Sequence, residues 1–262
     1  MRENGLRKAW AEGRGTLNGW LAIPSSFSAE VMAHQGWDSL TIDMQHGVVD
    51  YQTAVTMLQA ISTKDPVPMC RVPWLDPGIV MKMLDAGCYG VICPMVNDAA
   101  QAAALAAACR YPPRGNRSFG PIRATLYGGA DYAPHANDTV LSIAMIETRE
   151  AMAELEAILS VPELDGIYVG PSDLAASLGH PPVLDPETPE VVDAIATILK
   201  AAKKHGKRTG IHTLQPAYAR RMLDQGFDFT SIASDARLMG ARAQEAVAAA
   251  RGTAAAPQAK TY

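Results

Sequence analysis

Two acidic residues stand at matching places in the chain. Glu147 closes the apolar run Val140-Leu141-Ser142-Ile143-Ala144-Met145-Ile146, and Asp173 follows Ile167-Tyr168-Val169 through the turn Gly170-Pro171-Ser172. In a chain that repeats strand and helix, residues just past the C-terminal ends of the strands converge on one mouth, where two carboxylates can hold one hard divalent cation. His46, after Ser39-Leu40-Thr41-Ile42-Asp43, and Arg71, after Val67-Pro68-Met69-Cys70, reach that mouth by the same rule. Two carboxylates leave most of an octahedral shell to water or a chelating substrate, which suits Mg²⁺ or Mn²⁺. A 2-oxo acid chelates through its keto and carboxylate oxygens; the metal would polarise the carbonyl, acidify the C3 proton and stabilise the enolate.

Each residue also has a plainer reading. Glu147 or Asp173 can cap the helix that follows it. His46, three residues past Asp43, is either a base whose tautomer that carboxylate fixes or a hydrogen-bonded loop histidine. Arg71 ends a buried strand and needs an anion, which a substrate, Asp43 or Glu147 can supply. His212 closes the seventh strand run and either lines the pocket or packs. Lys8, Lys64, Lys82, Lys200, Lys203, Lys204, Lys207 and Lys260 fall in helices, tails or strand starts, so no lysine is placed for a Schiff base. Gly170-Pro171-Ser172 does not fit the serine hydrolase elbow.

The elements that must position these residues alternate along the chain. Strand runs are expected at 17–23, 39–43, 67–71, 90–94, 140–146, 166–169, 208–212 and 229–233, with amphipathic segments at 28–35, 51–62, 78–86, 98–109, 149–159, 189–205 and 215–225. Asp98, Thr148 and Thr188 are the expected N-caps. Continuously apolar strands belong to sheets buried on both faces, and helical crossovers demand parallel pairing. Eight such units predict an α/β fold, the (β/α)₈ TIM barrel. A doubly wound sheet is the alternative, but no G-x-G-x-x-G follows the first run. The stretch 110–137, rich in Pro, Gly and Arg, is a long insertion of the kind that usually serves function.

The 262 residues, 48% of them hydrophobic, suffice for one large core. The expected division is one domain over 1–252 and a disordered tail over 253–262. A net charge of −4, with scattered Lys and Arg, argues against nucleic acid and anionic membrane as partners. No run approaches the roughly 20 apolar residues of a membrane span, and the first residues lack a signal-peptide core, so a cytoplasmic protein is expected. Cys70, Cys88, Cys93 and Cys109 show no CxxC spacing and read as structural thiols.

Taken together, the motifs resemble the HpcH/HpaI aldolases, class II pyruvate aldolases related to citrate lyase. The matching stretches are Ile42-Asp43-Met44-Gln45-His46, Arg71-Val72-Pro73-Trp74, Leu84-Asp85-Ala86-Gly87, Arg110-Tyr111-Pro112-Pro113-Arg114-Gly115-Asn116-Arg117, Ile146-Glu147-Thr148-Arg149-Glu150-Ala151 and Gly170-Pro171-Ser172-Asp173-Leu174, in family order. The resemblance implies a phosphoenolpyruvate/pyruvate-domain-like barrel that reversibly cleaves 4-hydroxy-2-oxo acids to pyruvate or hydroxypyruvate and an aldehyde. It implies Glu147 and Asp173 as ligands of a divalent metal, Mg²⁺ or Mn²⁺ before Co²⁺, Ni²⁺ or Zn²⁺. Arg71 would bind the keto or enolate oxygen, and His46, supported by Asp43, would manage the proton. The backbone of Ser172 and Asp173, in the turn shaped by Gly170 and Pro171, would hold the substrate carboxylate, and Trp20 would wall the pocket. Asp85 would reach a neighbouring subunit's site in a hexamer, a trimer of dimers with the last helix swapped between barrels.

Four residues depart from the common family pattern: Gln45, Met145, Phe119 and His212. They are expected at or near the pocket, where Phe119 and His212 would favour a short hydroxylated aldehyde. Oxaloacetate decarboxylation or citrate-lyase-like cleavage is the alternative chemistry, and a non-catalytic metabolite-binding barrel the alternative of another class.

Overall fold

A computed structural model describes residues 1–254. Eight strands, β1 (Thr16–Leu21), β2 (Ser39–Asp43), β3 (Val67–Arg71), β4 (Gly90–Cys93), β5 (Leu141–Ile146), β6 (Gly166–Val169), β7 (Arg208–Ile211) and β8 (Phe229–Ser231), lie in chain order in a closed barrel. All pair in parallel, and β8 returns to β1 through Thr16 opposite Phe229. The expected TIM barrel is therefore present. The expected strands at 17–23, 90–94, 140–146, 208–212 and 229–233 differ from the observed ones by a residue or two at an end.

Period-two alternation sorts the strand side chains into two cores. Leu21, Ile42, Cys70, Val91, Ile146, Val169 and Ile211 face the surrounding helices. Trp20, Met69, Ile92, Ile143, Met145, Tyr168 and Phe229 fill the barrel. Each such side chain contributes about 1.5–3 kcal/mol by leaving water. Glycine makes the aromatic filling possible, since a Cβ on Gly210 would lie 2.3 Å from Phe229 Cζ and 2.5 Å from Tyr168 Cδ2.

The helices follow the predicted segments closely, with local differences. Asp98 and Thr148 cap as expected, by accepting from Gln101 N and Ala151 N. Thr188 takes the N-cap place of helix Pro189–Lys204 without a side-chain bond. The segment 149–159 breaks at Glu154 into Arg149–Ala153 and Leu155–Leu159. A helix the periodicity did not announce, Gly5–Ala11, plugs the N-terminal end of the barrel. Its Trp10 stacks on Phe229 with ring centroids 5.3 Å apart, and the Trp10 indole N–H donates to Thr16 Oγ1 at 3.0 Å.

The insertion lies at that same end. Helix Ala99–Ala108 runs back from the C-terminal end of β4, so everything between it and β5 must gather at the N-terminal face. This stretch contains helices Ala124–Gly128 and Tyr132–Thr139. Its buried Arg110 binds Asp165 at 2.5 Å and Glu163 at 3.3 Å, and Arg7 reaches Asp165 at 2.6 Å. The arginine-rich motif is an ionic brace under β6, far from the mouth of its own barrel.

All four cysteines are buried and free, as expected. Among the described residues no helix is long and apolar enough to cross a membrane. The last helix, Asp235–Arg251, is exposed over most of its length. Of the expected tail, residues 255–262 lie outside the described residues.

Candidate active site

The inward alternation of the strands continues one step beyond their ends. Thr41 leads to Asp43, Met69 to Arg71, Met145 to Glu147, Tyr168 to Gly170 and Gly210 to His212. Of the residues so reached, all but Asp43 line a small cleft, together with Met145, Leu184 and the rest of the turn 170–173.

At its base lies a buried ion pair. Arg71 and Asp43 are register partners on β3 and β2, and Arg71 donates through Nε to Oδ1 at 2.9 Å and through Nη2 to Oδ2 at 2.7 Å. Trp20 Nε1–H donates to Asp43 Oδ2 at 3.1 Å, and the Arg71 guanidinium stands 4.9 Å over the Trp20 ring. Burial would raise the Asp43 carboxyl, but the adjoining Arg71 charge and hydrogen bonds outweigh it and hold the group below the usual carboxylate range. The salt bridge weighed as Arg71's plainer role thus coexists with its place at the mouth. Asp43 Oδ1 also accepts from the backbone N–H of Gln45 at 3.1 Å and of His46 at 3.3 Å, so it shapes the turn that carries exposed His46.

Glu147 is not a helix cap, because Thr148 takes that place. Its Oε1 accepts from Met95 N–H at 2.8 Å. On the other side its Oε2 lies where only glycine fits, since a Cβ on Gly170 would come within 2.3 Å of it. Burial pushes the Glu147 carboxyl up to about 7; the Met95 N–H and Arg71 oppose that rise, while the Asp173 charge adds to it. Asp173 stands exposed in the first turn of helix Pro171–Ser177, whose first internal bond runs from Leu174 N to Gly170 O. The N–H groups of Ser172 and Asp173 thus belong to the donors a helix start leaves without intrahelical partners. Ser172 Oγ is buried and has no hydrogen-bond partner among the described residues.

His212 both lines the cleft and packs. Its Nδ1 lies 3.2 Å from Tyr168 Oη and 3.0 Å from Ser231 Oγ, and its ring meets Trp20 edge-on at 4.6 Å. Burial first, and the Arg71 charge second, push the imidazole down to about 3, so the ring is neutral at ordinary pH.

Two anticipated residues lie elsewhere in their own chain. Asp85 ends helix Pro77–Asp85 at the N-terminal face and binds Arg117 at 2.6 Å. Phe119, in the insertion beside Tyr111 with centroids 5.3 Å apart, shares that face. They cannot shape this chain's own cleft, and Phe119 does not meet His212 within one subunit. Conversely, sequence reasoning missed Leu184, Met95 and the Tyr168–Ser231 pair around His212. The inward parity of Tyr168 could have disclosed the last; a backbone donor such as Met95 N–H carries no residue-type signal.

No group of three or more His, Cys, Asp or Glu gathers as a ready-made metal cage among the described residues. The donor set nevertheless suits a hard divalent cation that keeps open positions: two carboxylates, a glycine cradle at one of them, and an orphaned hydroxyl in the same cleft.

A model of the HpcH/HpaI aldolase/citrate lyase family matches residues 19–241. The chain belongs to this family. The hydroxypyruvate/pyruvate aldolase of Rhizorhabdus wittichii is 46% identical to it, over 95% of this chain and 99% of that protein. The 4-hydroxy-2-oxo-heptane-1,7-dioate aldolase of Escherichia coli is 39% identical over 97% of both chains. The crystal structure of a family protein from Burkholderia cenocepacia J2315 superposes with a TM-score of 0.88 at 32% identity, over 95% of this chain and 99% of that one. The protein is a carbon–carbon lyase of the aldolase type.

Proposed function

We propose that this aldolase reversibly cleaves a 4-hydroxy-2-oxo acid to pyruvate or hydroxypyruvate and an aldehyde, with a divalent cation at Glu147 and Asp173. The observation that carries the reading is the gathering of Arg71, Glu147, Ser172 and Asp173 in one cleft. A bound cation would supply Lewis-acid polarisation of the substrate keto oxygen.

The chain's own groups account for the rest. Asp43 locks Arg71 so that its guanidinium stabilises negative charge developing on the keto oxygen. Ser172 Oγ and the Ser172 and Asp173 amides bind the substrate carboxylate. His46 takes the C4 hydroxyl proton, the electron pair it leaves on that oxygen forms the aldehyde carbonyl, and the C3–C4 pair passes into the enolate. Protonation at C3 completes pyruvate. Trp20, packed edge-on against neutral His212, would wall the pocket, and Met145 lines it from β5. The metal reading draws on the donor set and the family; Mg²⁺ or Mn²⁺ fits oxygen donors best.

The same reading makes the protein a cytoplasmic homo-hexamer in which Asp85 and Phe119 serve a neighbour's cleft. Exposed Phe119, Ile122 and Leu126 on the N-terminal face support it.

The test is pyruvate C3 hydrogen–deuterium exchange followed by proton NMR, on EDTA-stripped protein and again with added Mn²⁺. Exchange that depends on the metal is expected. Its absence under both conditions, with hydroxypyruvate inert as well, would refute the reading and favour a non-catalytic binder.

A further inference from the structure

The cleft takes no lining residue from β4 among the described residues, yet the turn after β4 touches its most buried carboxylate. We infer that the turn 94–97 is a two-point clamp that sets Glu147 for a cation, with Met95 and Asn97 as positioning residues; this rests on the metal reading above.

The first point is the 2.8 Å bond from Met95 N–H to Glu147 Oε1. Met95 makes it from a left-handed backbone, φ +55°, which a non-glycine residue keeps only where its surroundings impose it. The second point engages the next residue of the β5 turn. Thr148 Oγ1–H donates to Asn97 Oδ1 at 2.5 Å, while the same hydroxyl accepts from Ala151 N–H. Asn97 is itself anchored, its N–H donating to Gln101 Oε1 at 2.8 Å. The two turns are therefore stitched at consecutive residues, 147 and 148. With Oε1 already accepting from an amide, and Oε2 close over Gly170, the carboxylate is held in one orientation, in which Glu147 would meet a cation. Hydrogen bonds of this outer kind commonly govern metal affinity about tenfold or more.

The test is Mn²⁺ affinity of the full chain by electron paramagnetic resonance, with thermal melting of each metal-free variant as the control for folding. Asn97→Ala and Thr148→Val each remove the stitch, and Thr148→Ser keeps it. Expected are about tenfold weaker binding for either breaking variant, no further loss in the double variant, and wild-type affinity for Thr148→Ser. Wild-type affinity in both breaking variants, or losses that multiply in the double variant, would overturn the clamp. A wild-type chain that binds no Mn²⁺ would overturn the metal reading and the clamp together, so the two failures are distinguishable.

Discussion

The residues of the cleft fall into two electrostatic kinds. Asp43 and Arg71 satisfy each other, so removing either would strand a buried charge at a cost of several kcal/mol. Ser172 Oγ and Glu147 are under-satisfied, which is the state expected of groups that wait for a ligand. Ser172→Ala should therefore raise KM for the 2-oxo acid about fivefold, the worth of one ordinary hydrogen bond, while kcat stays within twofold. A lower kcat at unchanged KM would place the hydroxyl in the chemistry instead. His212 supplies a pH prediction. Its folded value of about 3 lies below the unfolded 6.5, so its contribution to stability is complete above pH 6.5 and is lost as pH falls from there toward 3. Urea unfolding should show about 2 kcal/mol less stability from this group at pH 5 than at pH 7. His212→Leu should flatten that part of the profile, and an unchanged slope would contradict the assignment.

At the scale of elements, parity governs. A strand residue facing inward passes that direction on to the residue two further along, which is how four strands deliver Arg71, Glu147, Gly170 and His212 to one cleft and a fifth sets Asp43 against Arg71. The price is a crowded interior, and Gly210 relieves it between Tyr168 and Phe229. Gly210→Ala should destabilise the barrel by about 1–3 kcal/mol through overpacking, seen as a lowered midpoint in urea. A wild-type midpoint would show that the two aromatic rings move aside freely. The N-terminal plug, with Trp10 beneath Phe229, closes this packed column from below.

At the scale of the molecule, the two barrel ends do different work. The mouth carries the cleft, and the opposite face carries the arginine brace and a row of exposed apolar side chains. Ile122 and Leu126 are 85% and 84% exposed, the first in the turn before helix Ala124–Gly128 and the second within it. In the hexamer proposed above, such side chains are covered by another subunit. Ile122→Glu should then yield smaller species in sedimentation velocity while the far-UV spectrum stays unchanged. An undisturbed hexamer would place the interface elsewhere.

The sequence by itself determined the barrel, its eight strands and the identity of most groups around the cleft. Strand-end position and period-two direction are local properties, fixed by each residue's own neighbours, so Glu147, Arg71 and Asp173 were legible without any contact across the barrel. Tertiary structure alone decided three matters. It placed the arginine-rich insertion at the N-terminal face, because helix Ala99–Ala108 carries the chain there. It separated Asp85, carried to that face by helix Pro77–Asp85, and Phe119, in the insertion, from their own cleft. It also brought Met95 N–H to Glu147 and the Tyr168 and Ser231 hydroxyls to His212. Those last contacts join residues far apart in sequence, one of them through a backbone group every residue but proline possesses, and only the closed barrel brings them within hydrogen-bond reach.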